Sequence, residues 1–480
     1  MLPDEKMQVR NTMTGEDPEA TRPSRRRSVV GAVVAVLAVA AVVLGGLRYL
    51  PVLLSGSTQT GPVPTPIVTH VPPPTSSPPA ASGGGAPFTP TGFLNTLNRA
   101  LTDVDRQAFF EHVGPGATDG LNLWWDNMAA LGMSGGGLSV ESGTLEGLRA
   151  GGSADLTIRL GAITPGTPRA QETTDDAAAG DYLLAAAEYE ITVSVTDGGE
   201  GQITGWHTTQ PVKPWDEGRL RASRTDHVLV AVAEAEADLL EEFGGELEEP
   251  ATWVLQQYAD ATGAAPVDHF TVFLTEDEDR AGIWFDTGGS NEELAGFTIP
   301  LRRPGPAPGL DPQIATSAST PWGSTVVTIG PAGLASTEAL RSLAAHELTH
   351  AVDFAWLPVS EERSRVVSEG WAEYIQEMWD SRGSFAPHGS WRAERIAECL
   401  ADGWGYPTDE DFDTPGEEIF CAYALSASVY GYAAEIGVDP FELARRARSS
   451  GASLAEVSRQ LDGPALTEDG WSDWVVSTYG

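Results

Sequence analysis

The chain has 480 residues, enough for two or three ordinary domains, and 41% of them are hydrophobic, which excludes a globally disordered protein. Its formal net charge is −39, from 68 acidic against 29 basic residues, and so acidic a surface repels phosphate backbones, which argues against nucleic acid as a partner. Cys399 and Cys421 are the two cysteines and form no CxxC pair, which excludes a cysteine-ligated zinc ribbon.

Residues 1–27 end in Arg22, Arg25, Arg26 and Arg27, and residues 28–47 that follow carry no charge. About twenty apolar residues span a bilayer core as a helix. Positive charge ahead of the span keeps the N-terminus cytoplasmic and sends the remainder outside. The expectation is therefore a cytoplasmic tail over 1–27 and a single-pass transmembrane helix over 28–50 in the cell membrane. A cleaved signal peptide is the rival reading, since Ala38-Val39-Ala40 has the small-x-small pattern, but the apolar run is long for that role. From 51 to 90 the chain turns to Pro, Gly, Ser and Thr, with ten prolines between Ser55 and Pro90, and reads as an extended, semi-rigid tether.

Residues 91–212 read as a first folded unit. Leu94, Leu97, Leu101 and Val104 fall at helical spacing, and alternating runs follow around Leu156, from Tyr182 to Val195, and around Ile203. A leading helix followed by long antiparallel strands is similar to the NTF2-like fold in element order alone. His112 and His207 are isolated, and no set of reactive side chains stands out, so an accessory or spacer role is expected.

From about Thr225 the pattern becomes mixed. Val228–Val232, Phe270–Leu274, Phe297–Ile299 and Thr325–Ile329 read as strands, and Ala233 to Gly263 reads as helix broken near Gly244. After Gly330 the chain reads as helical almost to its end, with loops around 381–415. Strands first and helices after give an expected fold class of α+β for a unit over 225–480, as for the accessory unit, on a membrane-anchored chain. If that unit lies outside the cell, one disulfide between Cys399 and Cys421 is expected; two small buried thiols are the alternative.

A helix capped by Ser336 or Thr337 carries His346-Glu347-Leu348-Thr349-His350. Ala339, Leu343, His346, His350 and Phe354 recur at three- and four-residue steps and share one face. The histidines are one turn apart, so both imidazoles can reach one metal ion, and Glu347 lies about 100° further round, near a water on that ion. A catalytic zinc needs a third protein ligand. The metzincin spacing fails, because Asp353 and Trp356 stand where Gly and His are required. The gluzincin alternative takes a Glu from the next helix, and eighteen residues separate His350 from Glu369, enough for a loop and a return.

His-Glu-x-x-His, eighteen residues, then Glu-Gly-x-Ala is similar to the aminopeptidase N-like gluzincins, and the string HELTHAV resembles the thermolysin family. The resemblance covers roughly 225–480 and is strong only between 335 and 380. It implies a zinc metallopeptidase in which His346, His350 and Glu369 bind Zn2+ and Glu347 is the general base. Glu373, one turn beyond Glu369, would hold a histidine ligand from behind. Tyr423 resembles the tyrosine that donates to the oxyanion, although the charged and glycine residues that usually follow it are missing; His388 is another candidate donor. The exopeptidase Gly-x-Met-Glu-Asn motif is absent, so an endopeptidase is expected, with a peptide or protein substrate aligned on an edge strand, for which 325–329 is the candidate. The alternative is a catalytically inactive cell-surface binding protein on a peptidase fold, against which all four metal and base residues argue. Oligomeric state is left open.

Overall fold

A computed structural model describes residues 88–165, 185–284, 295–302, 322–356, 364–414, 416–461 and 463–480. The expected tail, transmembrane helix and most of the tether fall in 1–87, outside the described residues. Among the described residues no helix is long and apolar enough to cross a membrane. The described chain is a mixed helix-and-sheet protein.

The first unit opens with α1 (Pro90–Thr102), which buries Leu94, Leu97 and Leu101 and starts on a proline whose missing N–H costs nothing there. A second helix, α2 (Pro115–Ala130), precedes a four-stranded antiparallel meander of β1 (Gly135–Ser142), β2 (Ser153–Ile163), β3 (Ala185–Val195) and β4 (Gly201–Thr208). β1 begins with three glycines and has no strand signal in sequence. Its glycine is a packing requirement, because a Cβ on Gly136 would lie 2.8 Å from the Gly161 carbonyl oxygen. Buried Asn98 exchanges two hydrogen bonds with the Leu138 backbone and clips α1 to this strand. His112 sits 3.2 Å from the Gly201 carbonyl through Nδ1, a structural contact, and His207 is exposed.

The second sheet follows the order β5-β6-β7-β9-β8, built from β5 (Leu220–Arg224), β6 (Val228–Ala233), β7 (Phe270–Leu274), β8 (Gly296–Arg302) and β9 (Trp322–Ile329). β6, β7 and β9 run parallel, while β5 and β8 pair antiparallel at the two edges. Residues 325–329 therefore lie inside the sheet between β7 and β8, which corrects their expected placement at its edge; β8 occupies that edge. Val228, Val230, Val272 and Leu274 face the helical half. Leu229, Ala231, Phe273 and Val326 face the first unit, whose core runs on into this face of the sheet. Burial on both faces explains why these strands read as continuous apolar runs without alternation. The buried side chain of Asn127 on α2 donates to the carbonyls of Trp215 and Gly218 and accepts from the Leu220 N–H, fastening the connection between the units.

The helical half comprises α3 (Glu248–Thr262), α4 (Thr337–Trp356), α5 (Arg365–Asp380), α6 (Trp391–Ala401), α7 (Ile419–Glu435), α8 (Pro440–Ser450) and α9 (Glu468–Tyr479). α6 lies within the stretch expected to be loop. Ser390 caps it by accepting from the Ala393 N–H, and Ala393, Ile396 and Cys399 form its buried face. Cys399 and Cys421 form a disulfide between α6 and α7. At Gly370 the backbones of α5 and α7 meet, and a Cβ there would lie 2.8 Å from that of Ser426 and 2.9 Å from the Ser426 carbonyl oxygen.

Two outcomes follow from this helical packing. Replacing both cysteines by alanine is expected to lower stability by about 3 kcal/mol in urea unfolding, the loop-entropy value for a separation of 22 residues. Gly370→Ala is expected to cost about 1–3 kcal/mol by forcing α5 off α7, measured the same way; an unchanged midpoint would show that the contact relaxes freely.

Candidate metal centre

α4 begins where Ser336 accepts from the Ala339 N–H at 3.1 Å. Ala339 to Phe354 were expected to show one inward face; instead every residue from Ser342 to Phe354 is buried, because α4 is the central helix of this half. Its position is set by Asp353, which is 2% exposed. The Asp353 carboxylate pairs with Arg448 of α8 and accepts from the Tyr258 hydroxyl of α3 at 2.6 Å. Trp371 of α5 in turn donates to that hydroxyl at 3.0 Å, so one polar network joins four helices.

Within this frame His346 and His350 of α4 meet Glu369 of α5. The two Nε2 atoms are 3.1 Å apart, and Glu369 Oε2 lies 3.1 Å from His350 Nε2 and 3.4 Å from His346 Nε2. All three residues are buried. A tetrahedral ion with bonds of about 2.0–2.1 Å needs ligand atoms about 3.3–3.4 Å apart. One ligand atom from each residue could hold a metal, and the same contacts are ion pairs between carboxylate and imidazole. Burial opposes charge on His346, but the flanking Glu369 and Glu373 carboxylates raise its pKa to about 10. Burial likewise opposes the charge on Glu369, yet His350 and His346 hold its carboxyl far below the usual range.

Glu347 is 1% exposed, and burial pushes its carboxyl upward against the opposing pull of both histidines and of Thr298. Thr298, on edge strand β8, has its hydroxyl 2.7 Å from Glu347 Oε2 and 2.9 Å from the Glu347 carbonyl oxygen. Glu347 Oε1 is buried with no hydrogen-bond partner among the described residues. Glu373 places Oε2 at 3.7 Å from His346 Nδ1, on the side of the ring away from Glu369. Burial opposes its charge, but Arg392 of α6 binds both of its oxygens, at 2.9 and 2.8 Å, and holds the carboxyl down to about 2.

Tyr423 is buried beside the centre, its ring 6.4 Å from that of His346 and 5.1 Å from that of Phe412. Its hydroxyl has no hydrogen-bond partner among the described residues. Burial and then the charges of Glu369, Glu373 and Glu347 push its pKa well up, so it keeps its proton. Tyr430 on the same helix is structural, donating to the Val367 carbonyl at 2.9 Å. His388 is exposed and packs against the Tyr479 ring. The structure thus gathers His346, Glu347, His350, Glu369, Glu373 and Tyr423, and leaves His388 outside.

Two participants escape sequence reasoning. Thr298 is a lone hydroxyl in the apolar strand segment Phe297-Thr298-Ile299, a signal only in retrospect. Arg392 has no local signal, because its partner Glu373 is nineteen residues earlier. No protein-family model and no curated protein sequence matches the chain, so what the site can do rests on its own residues.

Proposed function

We propose that this protein is a zinc-dependent endopeptidase of gluzincin type, an α+β enzyme held outside the cell membrane by an N-terminal span. The observation that carries this reading is the convergence of His346 Nε2, His350 Nε2 and Glu369 Oε2 at 3.1–3.4 Å, beside a buried and half-unpartnered Glu347. His346, His350 and Glu369 would hold the ion. Zinc bound there supplies Lewis acidity toward water and toward a peptide carbonyl. Glu347 accepts the proton of the attacking water: Thr298 occupies Oε2, and Oε1 is left for that proton. A carboxyl raised by burial is a better base near neutrality than an exposed one. Tyr423 retains its proton and offers an otherwise unused donor to the oxygen that gains charge at the carbonyl carbon. Among the described residues β8 has one strand neighbour, β9, and its other edge can pair with an extended peptide. Pro300 within it suits an edge strand, where a missing N–H costs least. The Cys399–Cys421 disulfide favours an oxidising compartment.

The test uses the purified full chain with zinc and an unfolded protein as substrate. About one zinc per chain and cleavage that stops on chelation are expected. Glu347→Gln is expected to keep the zinc and lose about 10²–10⁴-fold in kcat. Zinc retained with no cleavage would favour a binding protein on a peptidase fold, and no zinc at all would sink both readings. Thr298→Val is expected to keep zinc and KM while lowering kcat about 10–100-fold, because the base loses its fixed orientation. Steady-state kinetics on metal-loaded protein checks this, and an unchanged kcat would remove Thr298 from the machinery.

A further inference from the structure

Arg392 is out of place by every local criterion. It is 2% exposed, and burying a guanidinium is costly unless it is paired and fully hydrogen-bonded. It also occupies the first turn of α6, where the helix dipole disfavours a cation. Neither helix formation nor solvation explains the residue, so its partners must.

Those partners lead to the centre. Nη1 and Nη2 of Arg392 bind Oε1 and Oε2 of Glu373 as a parallel fork, and its Nε lies 3.5 Å from Glu377 Oε2. The guanidinium also lies over the Trp391 ring at 5.0 Å. Two bonds from one rigid plane leave the Glu373 carboxylate no rotational freedom. The Glu373 Oε2 so fixed is the atom 3.7 Å from His346 Nδ1, and Nδ1 has no hydrogen-bond partner among the described residues. Among the described residues, Glu373 is the charged group paired with His346 through Nδ1. α6 is itself tethered, because Cys399 further along it is bonded to Cys421 on α7, two residues before Tyr423.

We propose that Arg392 is a positioning residue of the metal centre: by clamping both oxygens of Glu373 it fixes the His346 ring and aims Nε2 at the other two ligand atoms. The inference rests on the reading of His346, His350 and Glu369 as a metal site. Its distinguishing property is the route. Arg392 acts through Glu373, so its effect on the metal must vanish when Glu373 can no longer be clamped.

The experiment measures the affinity of the full chain for zinc(II) by competition with a chelator of known affinity, and records the visible absorption of the Co(II)-loaded protein. Arg392→Met and Glu373→Gln are each expected to weaken zinc binding about 10–100-fold and to alter the Co(II) bands. In the Glu373→Gln background, Arg392→Met is expected to change affinity by less than about threefold, the non-additivity of residues acting in series. Arg392→Met alone strands two buried carboxylates and can fail to fold. Arg392→Lys keeps the cation without the fork and is expected to fall between wild type and Arg392→Met. The double variant removes the principal ion pair together, so the comparison in the Glu373→Gln background stands even where the single variant is lost. A folded Arg392→Lys or Arg392→Met protein with wild-type zinc affinity would overturn the proposal, as would an equal loss with and without Glu373. Wild-type protein that binds no zinc overturns the metal-site reading and this inference with it, whereas a zinc-binding wild type indifferent to Arg392 overturns the inference alone.

Discussion

The constraint on which this half of the molecule depends is charge compensation away from solvent. Glu347, Glu369 and Glu373 are 1%, 4% and 6% exposed and surround two buried imidazoles, with Arg392 as the guanidinium among them. Arg392 is engaged by both Glu373 and Glu377, so while both imidazoles are neutral the Glu347 and Glu369 carboxylates have no cation bonded to them among the described residues. Each such charge costs several kcal/mol when left bare in a protein interior. Two remedies exist: protons on the imidazoles, toward which His346 is already inclined, or a dication at the point where the three ligand atoms meet. The second supplies two positive charges with one species, and on the metal-site reading it is what the three converging ligand atoms would hold.

A cluster of this cost needs a scaffold that cannot relax away from it. α4 is buried along its length from Ser342 to Phe354, so it has no solvent face into which to slide. The Asp353–Arg448–Tyr258–Trp371 network ties it to α3, α5 and α8 just beyond His350. Glu369 is held from the other side, where Gly370 lets the α5 backbone touch Ser426 of α7. Fully satisfied polar networks of this kind rigidify the core around them, and on the metal-site reading a ligand shifted by about an ångström would no longer serve a tetrahedral ion.

The legible part of this arrangement was local in sequence. The helical step from His346 to His350, the cap at Ser336, and the step from Glu369 to Glu373 are consequences of 3.6 residues per turn, and they survive in the fold. Strands β6 and β7 were legible because two buried faces leave an unbroken apolar run. Strand order was not: nothing in Thr325–Ile329 says that a later-pairing β8 will flank it, since pairing is decided across the sheet. β1 was hidden because its glycines serve close backbone approach at the expense of β-propensity. α6 reads as loop in sequence because it is short and its neighbours are rich in Gly, Pro and Asp, although Ser390 and the 393, 396, 399 spacing mark it. Arg392 and Thr298 were invisible for a common reason. Each matters through a partner nineteen or more residues away, and a single sequence carries no distances of that kind.

Thr298 also shows how the sheet and the helices are coupled. It lies on β8, the edge strand nearest the centre, and its hydroxyl spans the backbone carbonyl and the carboxylate of Glu347. A Cβ on Gly296, two residues earlier on the same strand, would lie 3.4 Å from Glu347 Cγ, so the strand packs against the Glu347 side chain at both positions. On the peptidase reading, the element that aligns an extended substrate is therefore the element that orients the proton acceptor. Substrate register and base position then have one mechanical reference, and a displacement of β8 moves both together. A base mounted only on its own helix would keep its aim when the strand moved and lose the scissile carbonyl. On the same reading, a base mounted against the strand would move with it, and the contact that carries this coupling is the single Thr298 hydroxyl.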